Sequence, residues 1–131
     1  MLKDSGRVVK RIQKIYLKSN SQFSLKIKDW AETKADEVVF TDEDNHLFLQ
    51  SLDSLLIFNE NQSFSTEIQE FKAYMDKQQK SVHKIDINGT LAAGSSNFSL
   101  WLENTNCKHL LILGGEELIA NSNLERYLTA L

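Results

Sequence analysis

The sequence contains three histidines and one cysteine, the side chains most often used as metal ligands or nucleophiles. His46, His83 and His109 are far apart, and none has a second His or Cys at the spacing of a metal site. Cys107 precedes Lys108, and a nearby lysine can lower a thiol pKa. However, adjacent residues of a strand point to opposite faces, which leaves only His109 on the side of the thiol. We therefore predict no metal site, no cofactor and no catalytic residue.

A second group of residues has the composition of a phosphodiesterase site. His83-Lys84 is followed by Gly94-Ser95-Ser96-Asn97-Phe98-Ser99. This arrangement resembles the catalytic half-motif of phospholipase D-like nucleases, in which His-x-Lys precedes Gly-Ser-x-Asn. Here the lysine directly follows the histidine, and the gap to the glycine is shorter than in that family. The resemblance therefore implies at most a degenerate phosphodiesterase-like protein.

The N-terminal segment is strongly basic. Its first 18 residues hold six Lys or Arg and one Asp, a charge of +5, whereas the whole chain carries −3 and the remainder therefore −8. Apolar residues recur at helical spacing over residues 5–18, which predicts a basic amphipathic helix within residues 1–20. The basic stripe either faces solvent or docks an acidic protein, nucleic acid or anionic lipid. The candidate partner-binding residues are Arg7, Lys10, Arg11, Lys14, Lys18 and Trp101.

The elements of the C-terminal half are predicted from residues 83–115. Asn88-Gly89 lies between two alternating runs and is typical of a two-residue hairpin turn. Residues 98–103 alternate between apolar and polar, as a half-buried strand does. His109–Leu113 is apolar on both faces and is predicted to be the central strand. The stretch is predicted to form a three-strand β-meander.

The remaining segments are assigned in the same way. Residues 22–34 fit either a strand or a helix, and the alanines and charged residues favour a helix from about Ser24. Glu37–Thr41 and His46–Gln50 are predicted to form a hairpin, and Ser54–Phe58 a further short strand. A capping box at Thr66 begins a helix that ends near Gln79. Residues 116–131 form either one helix or a turn followed by a helix.

The predicted fold class is α+β: an antiparallel sheet of five to six strands with a three-strand C-terminal meander and helices mainly on one face. Trp101 falls on the side of its strand away from the core, so we predict self-association that covers it. The predicted core residues of the meander are Ile85, Ile87, Phe98, Leu100, Leu102, Leu111 and Leu113.

This order of elements resembles that of the Roadblock/dynein light chain family. Local agreement is found in Val38-Val39-Phe40-Thr41-Asp42, in Leu110-Leu111-Ile112-Leu113 and in Asn123-Leu124-Glu125-Arg126-Tyr127-Leu128. The resemblance covers residues 22–131, with the basic helix as an addition. It implies a non-enzymatic dimer that docks onto small GTPases or larger assemblies.

The bulk properties agree with an interaction protein. The 131 residues suffice for a single domain, the charged fraction of 25% is ordinary, and no apolar run is long enough for a membrane span. One cysteine fits a reducing, cytoplasmic location. We therefore expect an adaptor or regulatory subunit that binds another protein and forms a homo-oligomer. The alternatives are a nucleic-acid-binding protein and an inhibitor or immunity protein with an acidic binding surface.

Overall fold

The computed structural model describes residues 12–131 and shows alternating strands and helices. The strands are β1 (Ile12–Lys18), β2 (Ala35–Thr41), β3 (Ser54–Asn59), β4 (Ser81–Asp86) and β5 (His109–Gly114). The helices are α1 (Gln22–Lys34), α2 (His46–Ser51), α3 (Thr66–Lys77), α4 (Leu91–Asn104) and α5 (Asn123–Ala130), with a 3₁₀ helix over Glu116–Ala120. No helix in this part of the chain is long and apolar enough to span a membrane.

All five strands run parallel in one sheet, in the order β2-β1-β5-β3-β4. Parallel neighbours need a crossover, and crossovers are almost always right-handed. The chain moves towards one edge from β1 to β2 and towards the other edge from β3 to β4. Right-handed crossovers therefore put α1 and α3 on opposite faces. The protein has three layers, with the sheet in the middle.

Each face of the sheet has its own hydrophobic core. On one face α1, α4 and α5 cover the inward side chains of β1, β3 and β5 with residues such as Phe23, Phe98 and Tyr127. On the other face α2 and α3 cover β3 and β5 with Phe48 and Phe71. A strand buried on both faces is apolar along its length, as β5 is.

The predicted antiparallel sheet and its C-terminal meander are wrong, because every strand pair is parallel. The predicted placement of helices mainly on one face is also wrong, because helices cover both faces. Asn88-Gly89 does not form the hairpin turn, since neither residue has the positive φ that a type I′ turn requires. Instead, the Asp86 carbonyl accepts a hydrogen bond from the Gly89 amide, and its carboxylate accepts one from the Asn88 amide, both at 2.9 Å. The turn thus directs the chain from β4 into α4.

The strand predicted over residues 98–103 is the second half of α4. Phe98, Trp101 and Leu102 also have helical spacing, and it is this spacing that packs onto the sheet. Leu100 is 53% exposed, so its place in the predicted core is wrong. Leu102 is only partly buried. The other predicted core residues are confirmed: Ile85, Ile87, Phe98, Leu111 and Leu113 are at most 4% exposed.

Two further elements differ from the prediction. Residues 12–18 form β1 rather than the end of a helix, because β2 and β5 lie on both sides and supply its hydrogen-bonding partners. The rest of the predicted basic helix lies outside the described residues. His46–Gln50 belongs to α2 rather than to a strand. Asn45 caps the start of α2, and the Lys80 ammonium donates to carbonyls at its end, including those of Gln50 and Leu52 at 2.9 and 2.6 Å.

Several predictions are confirmed. Residues 12–131 combine helices with one β-sheet, and β5 is the central strand of that sheet. Helix α1 covers the ambiguous segment 22–34. Helix α3 begins at the predicted position, although Ser65 rather than Thr66 is the capping residue. The C-terminal segment is not one helix: the 3₁₀ helix over Glu116–Ala120 is followed by α5.

Candidate functional site

A cleft of about 440 Å³ lies at the carboxyl ends of β1 and β5, between the first turns of α1 and α3. In open parallel sheets, ligands commonly bind at this edge, where successive crossovers go to opposite faces. The cleft is therefore the first place to look for a small-molecule site. Its charged lining consists of four carboxylates and one ammonium group: Asp42, Glu67, Glu116, Glu117 and Lys18.

The protein fills the anion position of this cleft with a side chain of its own. The two carboxylate oxygens of Glu116 accept the amides of Gln22 and Phe23, at 2.8 and 2.9 Å. The Ser21 hydroxyl accepts the next amide, that of Ser24, at 3.1 Å. The amides that would hold a phosphate at this helix start are thus already bonded, and the surrounding carboxylates repel anions.

Replacing Glu116 with glutamine is expected to lower the free energy of unfolding by about 1–2 kcal/mol. The side-chain amide would turn an N–H donor towards one of two backbone donors, and charge-assisted hydrogen bonds would be lost. Glu117→Gln is the matched control, since Glu117 lines the same cleft without hydrogen bonding to α1. Urea denaturation measures both, and equal stability losses would contradict the assigned role of Glu116.

The residues that resemble the phosphodiesterase half-motif border a second cleft, of about 260 Å³, beside β4 and α4. His83, Lys84, Gly94 and Asn97 all line it. Lys84 nevertheless leaves β4 on the opposite face from His83, and its ammonium lies 5.9 Å from the centre of the Phe64 ring. The lysine and histidine are therefore not directed at one common phosphate position.

Trp101, a predicted partner-binding residue, packs within its own chain. Its indole stacks on the His83 imidazole, with ring centres 5.1 Å apart and planes at 18°. The indole N–H donates to the Ser81 hydroxyl at 2.7 Å. Trp101 lies on α4 over β4, at the edge of the sheet far from β1, so the structure does not bring it together with Lys14 and Lys18.

The packing of His83 predicts a pH dependence of stability. Burial lowers the pKa of His83 in the folded protein below its ordinary value of 6.5. As the pH falls, His83 of the unfolded chain binds a proton at a higher pH than His83 of the folded protein does. The stability that is fully present above pH 6.5 is therefore lost as the pH falls through the folded pKa. The ring of His83→Phe can stack but cannot titrate. The stability of the variant should decline less than that of the native protein in urea unfolding below pH 6.5; parallel declines would contradict this assignment.

Among the described residues, β1 and β2 are poorly covered by helices on one face of the sheet. On the side of α2 and α3, β3 and β5 present Leu55, Ile57, Leu111 and Leu113, all at most 4% exposed. On the same side, Lys14, Tyr16 and Lys18 of β1 and Glu37, Val39 and Thr41 of β2 are exposed or half-buried. Leu47 on the short helix α2, which packs on this side of the sheet through Phe48 and Leu49, is 79% exposed. We call the surface formed by these side chains of β1 and β2 the open quarter; it consists of Lys14, Tyr16, Lys18, Glu37, Val39 and Thr41.

The open quarter includes two of the predicted partner-binding residues. Lys14 and Lys18 lie on the same side of β1, with Tyr16 between them. The Lys14 ammonium pairs with Glu37 on β2 at 3.6 Å, and that of Lys18 approaches Glu67 on α3 at 3.9 Å. The predicted Arg7, Lys10 and Arg11 lie outside the described residues. The alternation of side chains along a strand places residues 37, 39 and 41 on one face of β2, so these three could have been grouped from the sequence. The sequence does not show, however, which strand lacks a covering helix.

Metal and thiol chemistry are not supported by the described residues. Between residues 12 and 131, no group of three or more His, Cys, Asp or Glu side chains is placed to hold a metal ion. Cys107 is buried, and burial is the main reason that the pKa of its thiol is raised to about 11. The hydrogen bond with Ser54 lowers this pKa, and the negative charge of Asp53 raises it. A thiol with this pKa is protonated near neutral pH and is a poor nucleophile.

Comparisons with known proteins do not test the family resemblances. They find no matching family model, no matching curated protein and no matching solved structure. The resemblance to the Roadblock/dynein light chain family therefore stays a prediction, although the hairpin and meander used to draw it are absent from residues 12–131.

Proposed function

We propose that this protein is a non-enzymatic interaction module, an adaptor or regulatory subunit, that docks another protein on the open quarter. The observation that carries the proposal is the contrast within one face of the sheet. Side chains of β3 and β5 there are fully covered, whereas those of β1 from Lys14 to Lys18 and of β2 from Glu37 to Thr41 are exposed or half-buried. Accessible apolar residues with a polar surround are typical of a protein-binding surface.

The charges of this surface favour a protein partner over nucleic acid. Lys14 and Lys18 are each close to a carboxylate, of Glu37 and Glu67. A nucleic-acid-binding surface instead presents unneutralised cations to the phosphates. Alternating apolar and paired charged residues suit a surface of mixed polarity on another protein.

Val39→Lys tests the proposal, because it places a charge at the centre of the surface where burial against a partner would be costly. Leu100→Lys is the matched control, since it makes the same kind of change at an exposed site on α4. Each protein would be immobilised and challenged with an extract of the source cells, and bound proteins would be quantified by mass spectrometry. We expect a partner to be retained by the native protein and the control and lost from Val39→Lys. An unchanged set of bound proteins would contradict the proposal.

Two arms of the same experiment address the alternatives. The carboxylates of the 440 Å³ cleft favour an inhibitor that binds a basic protein. In that case Asp42→Lys with Glu117→Lys would release the partner, and Val39→Lys would not. Binding of labelled DNA or RNA that weakens steeply with salt would instead favour the nucleic-acid-binding alternative.

A further inference from the structure

We infer that the partner that pairs with the edge of β2 is a second copy of this chain, in an antiparallel arrangement with Val39 on the two-fold axis. The inference rests on the proposed function, because it identifies the occupant of the open quarter and of the strand edge beside it. In the described sheet β2 is an edge strand and pairs with β1 alone. Such an edge can accept a further strand.

The backbone of β2 is oriented for this pairing. The Thr41 carbonyl accepts the Ser19 amide at 3.1 Å and is thus directed towards the β1 side. Backbone groups alternate in direction along a strand, so those of Val39 also point inwards, and those of Val38 and Phe40 point outwards. Val38 and Phe40 can therefore form hydrogen bonds with an added strand without disturbing the pairing of β2 with β1.

The sequence of β2 favours one self-pairing register. A two-fold axis at Val39 places Val39 opposite itself, Val38 opposite Phe40 and Glu37 opposite Thr41. Apolar residues then meet apolar residues, and β-branched and aromatic pairs across strands are stabilising. The two neighbouring side-matched registers are poorer: an axis at Val38 opposes Asp36 to Phe40, and an axis at Phe40 opposes Glu37 to Glu43.

The charges of the open quarter are complementary in the same register. Lys14 lies beside Glu37, and Lys18 lies beside Thr41, on neighbouring strands. Because the partner's Glu37 would face Thr41, it would come within reach of Lys18. Each Glu37 would then lie between Lys14 of its own chain and Lys18 of the other. The one unfavourable pair, Asp36 with the partner's Asp42, falls at the ends of the ladder, where both residues are exposed and salt screens the repulsion.

Cysteine cross-linking tests the register. Residues opposite each other at a non-hydrogen-bonded antiparallel position have Cα atoms about 4.5 Å apart, which is within disulfide range. Val39→Cys should therefore cross-link most of the protein under mild oxidation. Thr41→Cys, which would face the partner's Glu37, is the matched control and should cross-link at least tenfold less. The native Cys107 is buried and is common to both variants.

Sedimentation of the whole chain over a micromolar concentration range completes the test. We expect a dimer that Val39→Lys converts to a monomer, and a monomer at all concentrations would overturn the inference. Equal cross-linking of the two cysteine variants would also overturn it. If the native protein is a monomer but Val39→Lys still abolishes partner capture, the second copy is excluded and the proposed function stands. If Val39→Lys changes neither the oligomeric state nor the capture of a partner, the inference and the proposed function both fail.

Discussion

Replacing Leu111 with alanine is expected to lower the free energy of unfolding by about 2–5 kcal/mol, the cost of a large cavity in a packed core. Leu111 is 1% exposed at the middle of β5, with Tyr16 of β1 and Leu55 of β3 as its neighbours in the sheet. Neither neighbouring strand can move into the space without breaking the ladder. Urea denaturation measures the effect, and the slope of the free energy of unfolding against urea concentration should stay unchanged.

Leu100→Ala is the matched control for that measurement. It removes the same atoms from a side chain that is 53% exposed on α4, and it should change stability by no more than about 0.5 kcal/mol. The pair also distinguishes the observed fold from a meander, in which both leucines would face the core. Comparable losses at the two positions would contradict the placement of residues 91–104 in a helix.

Gly114→Ala is expected to destabilise the protein by about 1–3 kcal/mol, through overpacking rather than through a cavity. A Cβ at this position would lie 2.5–2.7 Å from three ring carbons of Phe23. The ring cannot swing away easily, because Phe23 is fully buried and packs against Phe58, with ring centres 5.6 Å apart. The backbone is equally fixed, since Gly114 is paired with Phe58 in the sheet.

A double-mutant cycle separates this clash from a general effect of removing glycine. Phe23→Leu makes room for the added methyl group, so the double variant should be more stable than the sum of the single effects predicts, by about 1 kcal/mol or more. Strictly additive losses would mean that the Phe23 ring is not what requires glycine at residue 114. Thermal unfolding of the four proteins provides an independent reading of the same coupling.

Some of the architecture was encoded locally and could be predicted. The run His109–Leu113 is apolar on both faces, and only a strand covered on both sides suits such a run; β5 is that strand. The start of α3 carries its own capping residue, and Ile68, Phe71 and Met75 mark its buried face. In these segments the local pattern and the global fold demand the same structure.

Other segments carried two patterns at once. Residues 98–103 fit both a period of two and a helical period, and the choice depends on which side chains find a surface to cover. Phe98, Trp101 and Leu102 meet the sheet and the residues of β4, so the helix forms and Leu100 is left in solvent. Asn88-Gly89 likewise allowed a hairpin, but β4 is taken up by β3, with which it pairs in parallel.

The sequence by itself determined the combination of helices and strands and the central strand, and its side chains do not have the spacing of a known catalytic or metal site. Only the tertiary structure decided strand direction, because pairing partners are distant in sequence and parallel pairing depends on crossovers that cover both faces. It also decided the candidate surface. Lys14 and Val39 belong to separate segments, and they lie on the same side of neighbouring strands because β1 and β2 pair in parallel.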